Sequence, residues 1–219
     1  MGKLKSSAKT IRNIIAITLF VIASGFHPIP HFKLTFNDPQ DSVLVDRDGN
    51  RYPIKKLLDN YLWMTANLNL NIPDSYCYEN KKENCELYGR LYTWESAQIG
   101  CSLLGEGWRL PTNDEWLQLT KHFGELPENS GEGRKKSYAA LLYGGSTEFN
   151  ALLAGGRELD GRYARLNAHG FYWTATETDS STAWFCNFGK GSQSLYRQND
   201  GEKLEALSVR CVKKIDPTK

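Results

Sequence analysis

The sequence predicts an α+β domain, on two observations. A central stretch carries two helix patterns with identifiable starts, and the last third holds four strand-like runs divided by Gly and Asn-Asp-Gly. Helices followed by strands that turn back on one another give an α+β fold, not an alternating α/β one. The 219 residues, 40% hydrophobic and 12% aromatic, supply enough apolar material for one core, and they exclude a disordered, collagenous or multi-spanning protein.

In chain order, a basic stretch ending at Arg12 precedes the apolar run Ile14 to Ala23 and the small residues Ala23-Ser24-Gly25. That is the pattern of a signal peptide over residues 1–25, because the apolar run is about half the ~20 residues a spanning helix needs. The domain is therefore expected to be exported, to the periplasm, the outer surface or the medium. It touches a membrane only through this segment if cleavage fails. The first cysteine is Cys77, so the cleavage site lacks the residue a lipoprotein anchor requires. The leader holds four basic residues and no acid, leaving 23 basic against 25 acidic residues beyond it; the formal +2 is no signal for nucleic acid.

Residues 26–42, with three prolines and no sustained period, read as a linker or extended arm, and His27 and His31 as its solvated histidines. Val43 to Asp46 and Arg51 to Ile54 then flank an Asp-Gly turn, a hairpin signal. A calcium loop starting at Asp46 would need Glu at its twelfth position, where Leu57 stands. Thr93 is placed to cap a helix from Trp94 to Leu104, with Ala97, Cys101 and Leu104 on its inner face and Gly105 as its stop. A second helix opens with the capping box Thr112-Asn113-Asp114-Glu115 and buries Trp116, Leu119 and Phe123. Gly124 to Lys136, rich in Gly, Glu and Lys, reads as a long exposed loop. The strand-like runs are 170–175, 182–188, 194–197 and 207–212. The domain thus spans 43–213, with a tail at 214–219.

Hydrolase and dinucleotide motifs do not occur: His122 and His169 lie in no HExxH or GxSxG context, and Gly189-Lys190-Gly191 has no helix behind it. No cofactor is expected. Successive cysteines are 8, 16, 85 and 25 residues apart without a CxxC, which disfavours metal and, with export, favours disulfides. Five cysteines allow two bridges at most within one chain, and spacing selects none beyond a local preference for Cys77 with Cys85.

Six strings in order, DRDGNRYPI (46–54), LWMTANLNLN (62–71), CYENKKENCELYGRLYTWESA (77–97), GWRLPTNDEW (107–116), GFYWTATE (170–177) and SVRCV (208–212), resemble the Fibrobacter succinogenes major paralogous domain, a bacterial family of exported proteins. The resemblance implies a C-type-lectin-like fold, two helices on a twisted antiparallel sheet, loop-rich and stapled by disulfides. It also implies a distant likeness to formylglycine-generating (sulfatase-modifying) enzymes. By analogy with lectin-like folds it implies Cys101–Cys211, which with Cys77–Cys85 leaves Cys186 as a thiol outside both bridges.

The function this implies is a non-catalytic surface or secreted module that binds a carbohydrate or a surface protein through its loop-rich face. Arg157, Asp160, Arg162, Trp184, Tyr196 and Asn199 are the candidate ligand-binding residues, being polar or aromatic side chains near that face. Two alternatives are a structural or adhesion component and, at a lower rank, an oxidase using paired cysteines and copper. Calcium-dependent sugar binding is disfavoured because Gln198-Asn199-Asp200 lacks the lectin tryptophan and supplies too few oxygens.

Overall fold

The computed structural model describes residues 42–58, 60–124 and 130–215. The leader and all of the expected arm but Ser42 lie outside them. The chain order is β1 (Ser42–Val45), β2 (Arg51–Leu58), β3 (Tyr61–Met64), β4 (Ser75–Tyr76), a 3-10 turn at Tyr78–Asn80, α1 (Lys82–Tyr88), β5 (Leu91–Tyr92), α2 (Trp94–Ser102), β6 (Trp108–Arg109), α3 (Asn113–Gly124), α4 (Gly131–Leu141), β7 (Gly156–Arg157), β8 (Tyr163–Ala164), β9 (His169–Glu177), β10 (Thr182–Gly189), β11 (Ser194–Glu202) and β12 (Val212–Lys214). The architecture is mixed α+β. A five-stranded sheet runs β1-β2-β3-β12-β6, a three-stranded sheet runs β11-β10-β9, and β4-β5 and β7-β8 form two small ribbons. All the strand pairs within these sheets are antiparallel.

The first hairpin forms where the Asp-Gly turn places it, starting one residue earlier: Ser42, assigned to the arm, already pairs with Ile54. Asp46 organises the turn. Its Oδ1 accepts from the Asp48 and Asn50 amides, both at 2.9 Å, and its Oδ2 from Asn50 Nδ2 at 2.8 Å and Tyr52 Oη at 2.6 Å. Gly49 takes φ +83°, a value an L side chain resists. The capping box of α3 is present as read: the Glu115 amide donates to Thr112 Oγ1 at 3.2 Å, and Glu115 Oε2 accepts from the Thr112 amide at 2.8 Å. Arg109 clamps the same carboxylate through both of its terminal nitrogens.

Four expectations need correction. Thr93 sits at the N-cap of α2 with extended dihedrals, but its side chain makes no capping bond. Residues 131–136, read as loop, open α4, where Ser130 Oγ accepts from the Gly133 amide at 2.9 Å and Tyr138 and Leu141 are buried. Gly and charged residues hide this helix from a periodicity reading; tertiary packing against α3 supplies what propensity lacks. With α1, four α-helices lie among the described residues where two were expected. Lastly, 207–212 is extended but not one ladder. Leu207 bonds Tyr92, the Ser208 amide bonds Phe171 O, and the carbonyls of Val209 and Cys211 accept from Leu68 and Met64, so the segment serves several neighbours alternately. The ladder proper begins at Val212 and takes in Lys214, which was assigned to the tail.

Two disulfides staple the domain, Cys77–Cys85 and Cys101–Cys211, and Cys186 is buried outside both. One core cluster gathers Met64, Leu68, Trp108, Phe171, Trp173 and Cys211; a second gathers Trp63, Trp116, Phe149, Tyr172 and Phe188.

Candidate functional site

The six candidate ligand-binding residues do not form one site. Asp160 and Arg162 close on each other at the tip between β7 and β8, with the Arg162 amide 3.0 Å from Asp160 Oδ1 and its Nε 2.6 Å from Oδ2. Those bonds, the backbone one first, hold the Asp160 carboxyl below the usual carboxylate range. Tyr196 is covered by Arg134 of α4, whose guanidinium carbon is 5.2 Å from its ring. Trp184 is half-buried beside Arg197, at 5.7 Å, and is the residue at which the register slips on both sides. Between Ala183↔Gly201 and Phe185↔Gln198, exposed Asn199 and Asp200 together oppose Trp184 alone, a bulge. Trp173 of β9 is fully buried with its indole N–H on Tyr92 O at 2.8 Å.

Arg157 lines a cleft. Its backbone pairs with Ala206 through two 2.9 Å bonds, and its guanidinium lies over Tyr76, 4.2 Å from the centroid. The cleft beside it, about 40 Å³, has Phe171 and Phe185 as its floor and Glu158, Arg165 and Glu205 at its rim. Alternation puts Phe171 on β9 and Phe185 on β10 on one face of the three-stranded sheet, with ring centroids 5.9 Å apart. Glycine at 201 makes room for that floor, since a Cβ there would stand 2.7 Å from Trp173 Cζ3 and 2.8 Å from Phe185 Cδ1. Arg165, at φ +67°, reaches over Phe171 at 5.6 Å. Burial first, then the Glu158 and Glu202 carboxylates, push Glu205 up to about 7.

The same face continues as a row of half-buried polar side chains. Asn187, two residues beyond Phe185, donates through Nδ2 to Gln198 Oε1 at 2.7 Å and holds His169 Nδ1 at 2.9 Å through its Oδ1. His169 stacks on Phe171 with ring centroids 5.3 Å apart. With Asn187 Oδ1 as the acceptor, His169 Nδ1 is the donor of that bond. The row ends in the His169 imidazole on one side and the Gln198 amide on the other, next to a cleft that offers carboxylates.

A family model, the Fibrobacter succinogenes major domain, matches residues 41–213. The chain belongs to that family. No curated protein matches the sequence. The strings that mark the family resemblance build the scaffold. DRDGN makes the first turn, Asn67 accepts from Arg210 Nε at 2.7 Å, Arg109 and Thr112 lock Glu115, and SVRCV supplies Arg210 and a bridge cysteine. Of the cleft-and-row residues, only Phe171 lies within them.

Sequence reasoning missed Glu158, Arg165, Phe185, His169, Asn187, Gln198 and Glu205. One signal was legible: Asn187 interrupts the alternation Phe185-x-Asn187 at a position whose neighbours on the same face are aromatic. Glu205 and Arg165 sit on turns and carry no pattern. Among the described residues, no group of three or more His, Cys, Asp or Glu side chains converges as a metal site.

Proposed function

We propose that this member of the family is an exported, non-catalytic module that binds a carbohydrate on the face formed by the Phe171–Phe185 cleft and the His169–Asn187–Gln198 row. The observation that carries the reading is the juxtaposition itself. Aromatic carbon and carboxylates adjoin a pre-ordered line of amide and imidazole groups, the combination that meets both the apolar faces and the hydroxyls of a sugar. Asn187 is held from both sides, so little side-chain entropy is lost on binding. The shallow cleft suits the edge of an extended glycan better than an engulfed small molecule.

Export is supported by the leader pattern and by two disulfides. A lectin-like relationship is supported by the bridge from α2 to the residue preceding β12. The non-catalytic reading is supported by Cys211, which is consumed in that bridge, and by the burial of Cys186; a copper oxidase would need two reactive thiols close together. A second reading, recognition of a surface protein, is favoured by Leu159 and Leu204. They are 56% and 74% exposed and follow Glu158 and precede Glu205 at the rim.

A glycan array of the oxidised protein, in calcium and again in EDTA, tests the proposal. Binding independent of EDTA, reduced about tenfold or more by Asn187→Ala and left intact by Tyr196→Phe, is the expected result. No glycan bound in either buffer would reject the carbohydrate reading, and a partner lost in a Leu159→Ser, Leu204→Ser double variant would support the protein one.

A further inference from the structure

The two disulfides occupy opposite environments. Cys101 and Cys211 are both fully buried, whereas Cys77 is half-exposed and only its partner Cys85 is buried, at 5%. Beside the second bridge stands Arg90. Its Nε donates to Ser75 Oγ at 2.9 Å and its Nη2 to Ser75 O at 2.7 Å, which aims Nη1 at the bridge, 3.6 Å from each sulfur. The backbone fixes this aim: the Arg90 amide donates to Leu68 O at 3.0 Å, and Gly89 at φ +74° packs so closely that a Cβ would meet Asn67 Cβ at 2.7 Å. Among the described residues no carboxylate pairs with Arg90. A cation held against a neutral disulfide gains little there, but it would strongly favour a thiolate at the same place.

The segment around the bridge is also tense. Asp74, Glu79 and Asn80, none of them glycine, all sit at positive φ between 53° and 55°. The segment is closed by a local loop and meets the cleft-bearing part of the molecule through Tyr163 Oη to Asn80 Oδ1 at 2.8 Å, Tyr88 Oη to Asn167 Oδ1 at 3.2 Å, and Tyr78, which is buried against Tyr163, Ala154, Ala206 and Leu166.

We propose that Cys77–Cys85 is a thiol-exchange site, opened by a dithiol reductant that attacks Cys77, with Arg90 receiving the departing Cys85 thiolate. A thiolate of the reductant bonds to Cys77 Sγ, the bridge breaks, and its electron pair leaves on Cys85 Sγ beside Arg90 Nη1. The second thiol of the reductant, once deprotonated, then attacks the mixed disulfide. The reductant leaves as its own disulfide and Cys77 as a thiolate. Two electrons pass from the dithiol to the bridge, and the two cysteines take up the two protons it has lost, either directly or from water. Opening removes the covalent closure of loop 77–85 while the buried Cys101–Cys211 bridge holds the core, so the exchange loosens the loop that packs on Tyr163 without unfolding the domain.

The test uses the whole oxidised protein in dithiothreitol buffers of graded oxidised-to-reduced ratio, quenched with iodoacetamide and mapped by mass spectrometry. Cys77 and Cys85 are expected to be labelled at ratios where Cys101 and Cys211 remain bridged. Arg90→Gln, which keeps a donor towards Ser75 but loses the charge, is expected to slow opening about tenfold in a labelling time course at one fixed ratio. Arg90→Lys should recover most of the rate. Simultaneous opening of both bridges in the native protein would overturn the proposal even if no Arg90 variant folded. Equal rates for native protein and a folded Arg90→Gln variant would overturn the role of Arg90.

Discussion

Arg210 donates through Nη1 to the carbonyl of Phe149 at 2.6 Å, while its guanidinium carbon stands 4.7 Å from the centroid of the same residue's ring. Its other partners are Asn67 Oδ1 at 2.7 Å, Asn150 O at 2.6 Å and, more loosely, Met64 O at 3.3 Å. These acceptors are all neutral oxygens. Burial lowers the Arg210 pKa to about 10, which still leaves the group charged at neutral pH. A cation at the centre of the molecule is thus solvated by carbonyl oxygens drawn from chain segments far apart in sequence.

Removing that cation leaves several buried acceptors without a donor. Arg210→Ala is expected to cost about 3 kcal/mol or more in urea unfolding, since each stranded buried acceptor costs about 1 to 3 kcal/mol. Arg210→Lys, which restores the charge but not the fork, should recover only part of it. A variant as stable as the native protein would show that water replaces the guanidinium.

Glu205 makes stability depend on pH in the direction opposite to most carboxylates. Its folded pKa of about 7 lies above the unfolded value of about 4.3, so between those values the folded state holds more protons than the unfolded one. Its contribution to stability therefore falls as pH rises from about 4 to about 7. The groups that set it are Glu158, Glu202 and Arg165. Glu205→Gln should flatten that part of a Tm-against-pH profile, by under about 1 kcal/mol because half of the group remains solvated.

The two bridges should differ in worth. Cys101–Cys211 closes 110 residues and Cys77–Cys85 closes 8. The chain-entropy relation assigns roughly 4 to 5 kcal/mol to the first and roughly 2 to 3 to the second. Cys101→Ser is expected to lower the denaturation midpoint clearly more than Cys77→Ser.

Gly201 is the position at which a single methyl group should disturb the cleft floor from below. Gly201→Ala forces Trp173 or Phe185 to move, at about 1 to 3 kcal/mol, and should weaken ligand binding together with stability. Unchanged binding in a destabilised variant would place the ligand elsewhere.

How much of this was legible depended on whether the information was local. The Thr112–Glu115 box and the Asp-Gly turn at 49 were, because a cap and a turn are made by residues within four positions of each other. The start of α4 was not: Gly131 and Gly133 argue against a helix, and the contact that overrides them, Ser137 Oγ to Thr120 O at 2.9 Å, reaches another helix. The cleft was least legible of all. Phe185 meets Phe171 only through strand pairing, and Glu205 meets Glu158 only because Arg157 pairs with Ala206. The family strings pointed elsewhere for a physical reason, since they encode the parts that hold the domain together.

The position of β12 has a consequence for biogenesis. Val212 pairs with Trp63 on one side and Arg109 on the other, so the last described strand is wedged between two that leave the ribosome far earlier. Until it arrives, β3 and β6 each present a bare hydrogen-bonding edge, the feature through which nascent chains stick to one another. A nonsense codon shortly before residue 212 would not trim an end but remove a keystone. A chain that stops short of it is expected to aggregate through those two open edges.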